Sequence, residues 1–437
     1  MHLEFSDEQL ELRDSARAIL ARECPPRLVR EVAVSGAEAG GFRSQLSWLG
    51  WPALTVDVDL GGLGRGFVEL AVVLEELGRA AAPGPFLATM TQFVPAVREA
   101  GSSAQVSRFL SAVAAGQLNG TLALYEGGRW DPFSIGATAT RDGDGWVLSG
   151  HKRQVLCCAE IDEIVVAARR ASGMLGLFVV PAADVTFTRV DSVDGTRSLG
   201  NLELDGVWVP DARMLGDPHV TVDATPAVAA AVAEATVGMA LDTIGVCGAL
   251  FQSALEAALE LPVRSLGAEP ENGKANGDAN GDASAGANGS NGREGGERNA
   301  SRNGDPPVLA PAPPPVRTPP QAVRHSLAEM AGALERTRAI VYQATAAVAE
   351  RHDRATVTAS QAKAAAGACQ RLIVARSLEI HGRGPQRADA QLWVRRAQSG
   401  ELLLGSSADH HRVVADELFR APKRQPASAG LAAVLGL

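Results

Sequence analysis

Residues 119 to 216 alternate between apolar and polar side chains, and the chain on either side of them does not. "GATATRDGDGWVLSG" alternates, turns at Asp142-Gly143-Asp144-Gly145, and alternates again, which is a hairpin signature. A second pair follows, "IVVAARR" and "LGLFVVP" around a turn at Ala171-Ser172-Gly173, and then "VTFTRV" and "NLELDGVWVP". A period near two cannot be satisfied by a helix, so this block must be a sheet, and the hairpin spacing predicts an antiparallel one.

The flanking blocks read as helices. Ser6 and Gln9 form a capping-box pattern, and Leu12, Ala16, Ile19 and Leu20 fall on one face behind it. Leu70, Val73, Leu74 and Leu77 make the stripe of a second helix, which Gly78 is expected to end. From Pro226 a long alanine-rich helical stretch begins, apolar over much of its surface as a bundle core requires. It stops at the tract 267–317. Between Leu266 and Val308 there is no Val, Ile, Leu, Met, Phe, Trp or Tyr, so the tract has too little apolar surface to offset its ordering entropy and is expected to be disordered. Helices resume at Gln321 and continue to about residue 420 in at least three pieces. The expected architecture is α+β and mainly α. It comprises an N-terminal helical domain (1–118), a middle antiparallel β domain (119–216) and a C-terminal four-helix bundle (226–420) interrupted by the insert 267–317.

Composition narrows the function classes. A net charge of −9 argues against nucleic acid as a partner. No apolar run is read as long enough to span a membrane, and the acidic N-terminus lacks the features of a signal peptide. The five cysteines have no metal-like spacing and read as reduced cytosolic thiols, so a cytoplasmic location is expected. "GGLGRG" at 61–66 fails the dinucleotide-loop spacing because Phe67 stands where the last glycine belongs. His410-His411 has no third ligand and reads as a surface pair on a helix; no metal site is expected.

Six stretches, in order, carry a resemblance: "FSDEQLELRDSARAIL", "LGWPALTVDVDLGGLGRGFVELAVVLEELGRAAAPGPFLAT", "LALYEGG", "GDGWVLSGHKRQV", "PQAVRHSLAEM" and "EIHGRGPQRADAQLWVRRA". Together they resemble the acyl-CoA dehydrogenases, over nearly the whole chain. The resemblance implies an oligomeric flavoprotein oxidoreductase of fatty acid and lipid metabolism. Its reaction would be α,β-dehydrogenation of an acyl-CoA thioester, with a carboxylate taking the α proton and FAD the β hydride. It also implies FAD between the β domain and the bundle, a neighbouring subunit on the diphosphate, and an electron-transfer flavoprotein as acceptor. It sets the cofactor contacts at Tyr125, Glu126, Gln154, Val155, Leu156, His381, Gly382 and Gly384.

The chain departs from the family pattern at several of these. Tyr125 replaces a small hydroxyl residue, and Gln154 and Leu156 stand where the family has Trp and Ser or Thr. Glu379 replaces Gln and Arg383 replaces Gly. "ELPVRSLG" (260–267) loses the register of the family's Arg-x-Gln-Phe-Gly. Arg387 falls where the family often carries its Glu base, and an arginine stays protonated; Glu234 and Asp389 are the remaining candidate bases. Two functions stay open: a working dehydrogenase, or a catalytically degenerate partner subunit of a heteromeric one.

Overall fold

The computed structural model describes residues 5–36, 39–156, 159–220, 222–260, 319–382 and 387–420. The insert 267–317, Arg383, Gly384 and the pair Cys157-Cys158 lie outside the described residues.

The chain opens with helices α1 (Asp7–Glu23), α2 (Pro26–Ser35), α3 (Gly40–Trp48) and α4 (Phe67–Arg79). A short α5 (Phe86–Ala88) runs through a π-helical stretch, Thr89–Phe93, into α6 (Val94–Ala100), and α7 (Ser103–Ala114) follows. The capping box is present: Ser6 Oγ accepts from Gln9 N–H at 3.3 Å and Gln9 Oε1 accepts from Ser6 N–H at 3.1 Å. The α4 stripe of Leu70, Val73, Leu74 and Leu77 is buried.

Seven strands follow: β1 (Gly120–Ala123), β2 (Thr138–Asp142), β3 (Gly145–Leu156), β4 (Glu163–Arg170), β5 (Leu175–Pro181), β6 (Thr186–Val190) and β7 (Leu199–Pro210). The expected hairpins form, β2 with β3 and β4 with β5. The sheet as a whole is mixed and not antiparallel. β1 and β2 lie end to end along one edge of β4, and both run parallel to it. Local alternation and turn chemistry report only sequence neighbours, whereas these two pairings join strands separated by others in the chain.

The bundle is built from α8 (Thr225–Glu260), α9 (Gln321–Ala349), α10 (Ala355–His381), α11 (Arg387–Leu402) and α12 (Ser407–Arg420). α8 is its axis, contacted by α4, α9, α10 and α11. By length and composition α8 does meet the requirement for a membrane span, contrary to the sequence reading. Its apolar window is 89% buried inside the protein, which accounts for a helix apolar on nearly every face.

Gly78 does not end α4; it lies inside the helix, at the crossing with α8. A Cβ there would sit 2.2 Å from the Asp242 carbonyl oxygen, and one on Gly245 would sit 2.0 Å from the Glu75 carbonyl oxygen. The two glycines let the helix backbones touch, and this contact fixes the N-terminal domain on the bundle. Gly245→Ala must push backbone against backbone and is expected to cost about 1–3 kcal/mol in a denaturant melt. Gly332→Ala on α9 meets only the end of the Arg336 side chain at 3.2 Å, and is expected to be neutral or to gain up to about 1 kcal/mol in the same measurement.

Candidate functional site: the pocket between sheet and bundle

β3 carries a bulge where it faces the bundle. Lys152 pairs with Leu202 and Val155 with Gly200, so Arg153 and Gln154 together oppose Asn201. Gln154 takes φ +52°, a left-handed conformation uncommon for a residue with a Cβ, and its N–H donates to Asn201 Oδ1 at 3.3 Å. The bulge turns Gln154, Val155 and Leu156 toward the bundle, where they meet Tyr125 and Trp130 from the loop after β1, Gln92 from the π-helical stretch, and Val232, Ala235 and Met239 from one face of α8. The structure therefore brings four of the expected cofactor contacts, Tyr125, Gln154, Val155 and Leu156, into one pocket.

Glu126 is not among the lining residues. Its carboxylate accepts from the N–H groups of Gly136 (2.7 Å) and Ala137 (3.0 Å) and from Lys152 Nζ (2.6 Å), and so ties the loop after β1 to β2 and β3. Lys152 is fully buried, and burial lowers its pKa to about 8 against the opposing pull of Glu126. Burial pushes the Glu126 carboxyl up, but Lys152 and the two N–H donors outweigh it and hold the pKa below the ordinary value.

The remaining expected residues lie elsewhere. Glu234 faces away from the pocket, hydrogen-bonded to Arg98 on α6, and burial raises its pKa. Asp389, in the first turn of α11, forms an ion pair with Arg30 of α2. Arg387 Nη1 donates to the Gly382 carbonyl. Gly382 has φ +51° and ψ −116° with nothing within 4 Å of a would-be Cβ, so the demand for glycine there is torsional. His381 is buried and both its ring nitrogens are engaged, Nδ1 with the Ser377 carbonyl (2.6 Å) and Nε2 with Ser253 Oγ (2.9 Å). A carbonyl can only accept, so the hydrogen is assigned to Nδ1 and Nε2 accepts from the serine. Ser253 follows the last pocket residue of α8, Met239, by 14 residues, about 21 Å along the helix. His381 and Gly382 are therefore not part of this chain's own pocket.

Sequence reasoning missed the residues that close the pocket. The loop after α11 sends Leu403 and Leu404 into it. Leu404 (φ +59°) and Gly405 (φ +94°) are both left-handed, and a Cβ on Gly405 would lie 2.6 Å from the Trp130 ring, so the loop and the indole pack flush. Two buried side chains hold this turn. Lys363 Nζ donates to the carbonyls of Gly400 (2.9 Å), Glu401 (3.3 Å) and Gly405 (3.1 Å). His410, expected at the surface, is buried with Nε2 donating to the Leu404 carbonyl at 2.9 Å. Burial, followed by the Lys363 charge, lowers its pKa to about 4. The "SGELLLGSS" stretch was the available signal: three leucines running into a glycine cannot continue a helix without presenting one of them to the interior.

The pocket is accordingly full. Its free space is about 30 Å³, room for about two waters, and a tricyclic flavin ring does not enter it. Leu156 supplies no hydrogen-bonding side chain, and no carboxylate or histidine is among the lining residues. These residues do not fit FAD, and none can act as a general base. Beyond Trp130 lies a cleft of about 790 Å³ between the loop 127–134, α8, the start of α10 and α12, with Arg129, Asp131, Arg412 and Glu417 among its lining residues. Among the described residues no group of three or more His, Cys, Asp or Glu side chains converges as a metal site would require.

The Lys152–Glu126 pair carries a testable pH dependence. Glu126 has a folded pKa below its ordinary 4.5, so its stabilisation is fully present above that value and is lost as pH falls through the folded pKa. Glu126→Gln is expected to flatten the acid limb of a plot of unfolding free energy against pH. Lys152→Met leaves the carboxylate partly buried without its cation, and is expected to cost about 3 kcal/mol at pH 7.

Comparison with known proteins agrees with the fold. "Acyl-CoA dehydrogenase, N-terminal domain" matches residues 6–117, and "Acyl-CoA dehydrogenase, C-terminal domain" matches residues 318–419. The chain is 29% identical over 236 residues to acyl-CoA dehydrogenase FadE26 of Mycobacterium tuberculosis, covering 50% of this chain and 58% of that one. It is 28% identical over 227 residues to isovaleryl-CoA dehydrogenase of Pongo abelii, covering 48% and 53%. The chain thus spans about half the length of the curated relatives it matches. In fold it is similar to the ChsE4–ChsE5 complex from Mycobacterium tuberculosis, with TM-score 0.75 and 22% identity over 98% of this chain and 100% of that one. Butyryl-CoA dehydrogenase from Megasphaera elsdenii gives TM-score 0.76 and 18% identity over 96% and 100%. Over residues 6–117 and 318–419, and in the fold that joins them, the chain belongs to the acyl-CoA dehydrogenase family.

Proposed function

We propose that the chain works as a subunit of an acyl-CoA dehydrogenase, an oligomer that carries out FAD-dependent α,β-dehydrogenation of an acyl-CoA thioester in the cytoplasm, with an electron-transfer flavoprotein as acceptor. Family membership supports the reaction class. A solved structure of similar fold is itself described as an electron transferring flavoprotein of Acidaminococcus fermentans, which supports the acceptor. A flavin held in such an assembly would supply the hydride acceptor.

Within that assembly this chain is the subunit that does not house the flavin ring. The observation that carries this reading is the filled pocket. Tyr125, Trp130, Gln154, Leu403 and Leu404 occupy the space between sheet and bundle, and no acid reaches it. A dehydrogenase site needs a base within hydrogen-bonding reach of the proton it takes. The two candidate bases, Glu234 and Asp389, are held by Arg98 and Arg30 outside the pocket. The reacting site then belongs to a related subunit. The ChsE4–ChsE5 neighbour, a complex of two different chains, supports an assembly of that kind.

The test is an absorbance spectrum of the purified chain, alone and co-expressed with a related chain encoded beside it. The expected result is a colourless chain alone and a yellow complex bleached by an acyl-CoA. Flavin bands in the chain alone, bleached by an acyl-CoA, would instead assign it the complete reaction and require the Leu403–Leu404 turn to swing out of the pocket.

A further inference from the structure

A second cavity, of about 260 Å³, lies on the far side of α4, between α1, α2 and α11. One face of α1 forms a wall of it: Arg17, Leu20, Ala21 and Cys24 follow each other at helical spacing. Leu20, Cys24, Val29 and Ala81 are buried and make the interior apolar. The polar groups gather at one end. Glu76 there is held by Arg17 through two hydrogen bonds, of 3.0 and 2.6 Å, and is shared with Arg79, whose Nε lies near its Oε2. Neighbouring Glu75, which does not line the cavity, accepts from Arg338 and Tyr342.

Arg79 is the surplus cation among the lining residues. Its Nε lies 3.4 Å from Glu76 Oε2 yet is buried and donates to no acceptor in the protein. Its guanidinium is seated against α8 where Gly248 leaves room, since a Cβ there would be 2.9 Å from Nη2. A buried N–H without an acceptor costs about 1–3 kcal/mol, more for a charged group, unless a ligand or water supplies one. The cavity therefore joins an apolar chamber to a polar end that holds two guanidinium groups, Arg17 and Arg79, against one carboxylate, Glu76.

We propose that this cavity binds a small aliphatic monocarboxylate, its carboxylate on Arg79 and its tail against Leu20, Cys24 and Val29. A cavity of about 150 Å³ holds benzene, so this one has room for a tail of roughly eight carbons. The site is separate from the pocket between sheet and bundle and does not depend on that pocket's holding a flavin.

The test uses the full chain, with any subunit that co-purifies with it, and titration calorimetry against octanoate, octan-1-ol and octylamine. Octanoate is expected to bind saturably and at least tenfold more tightly than octanol, with octylamine weakest. Ala21 is exposed at the cavity mouth, so Ala21→Phe is expected to leave the fold intact by circular dichroism and to abolish octanoate binding. Arg79→Gln is expected to remove the tenfold preference for octanoate over octanol. The proposal is overturned if octanoate does not bind, if octanol binds as well as octanoate, or if octanoate binds Ala21→Phe unchanged, which would place it in the cleft beyond Trp130.

Discussion

The carboxylate of Asp242 is the point on which three parts of the chain converge. It is buried on α8, with Arg197 Nη2 from the loop before β7 at 2.6 Å and Arg396 Nη2 from α11 at 2.8 Å. Arg396 also donates to Thr196, whose N–H is held by Asp194. Burial alone would drive the Asp242 carboxyl toward its neutral form; the two guanidinium groups outweigh that and keep its pKa below the ordinary value. Such a cluster is not cheap to form, since every member is desolvated, and replacing it with apolar residues is often neutral or stabilising in proteins. Its value lies in specificity of place. Once α8 carries a buried anion, the sheet and α11 have to arrive in the register that brings a cation to it.

That register decides the shape of the pocket. Arg197, Asp242 and Arg396 border a small void together with Leu156, so the ion cluster abuts the bulged end of β3. With α11 fixed at Arg396, the chain beyond it turns back at residues 403–405, and the three carbonyls bound by Lys363 leave the turn little freedom. Leu403 and Leu404 are thus held in the pocket by the bundle and not by the pocket itself. The closure is a consequence of the same interactions that hold the domains together.

Much of this was legible in the sequence, and what was not shares one cause. Alternation and turns found both hairpins, the capping box and the α4 stripe, because each is a local pattern read over a few residues. The parallel pairing of β4 with β1 and β2, the contact of Gly78 with Asp242, and the burial of Lys363 and His410 are relations between distant segments. Gly78 reads as a helix stop in isolation, and becomes a point of close approach only when α8 is laid across it. At the site, the expected cofactor residues divided in the same way. Tyr125, Gln154, Val155 and Leu156 do come together, because one strand bulge and its neighbour carry them. Glu126, His381, Glu234 and Asp389 are drawn off by partners on other elements, Lys152, Ser253, Arg98 and Arg30.

The division also separates what the chain has kept of the family pattern from what it has not. Glu126 braces two strands through Lys152 and two backbone N–H groups, and His381 joins α10 to α8 through Ser253. Removing either would leave buried polar groups unpaired, a cost to folding whatever the chemistry. Tyr125, Gln154 and Leu156, at which the resemblance implies a departure from the family pattern, meet at the pocket wall, where what is asked of a side chain is to fill space. A polar contact made only to a ligand is not required by the fold, and it can be replaced by packing at little expense to stability. Lys363 and His410 then show the complementary effect, since they spend buried polar groups to fix two leucines inside the pocket. The frame is retained because it is cross-braced, and the pocket has closed because nothing in the frame needs it open.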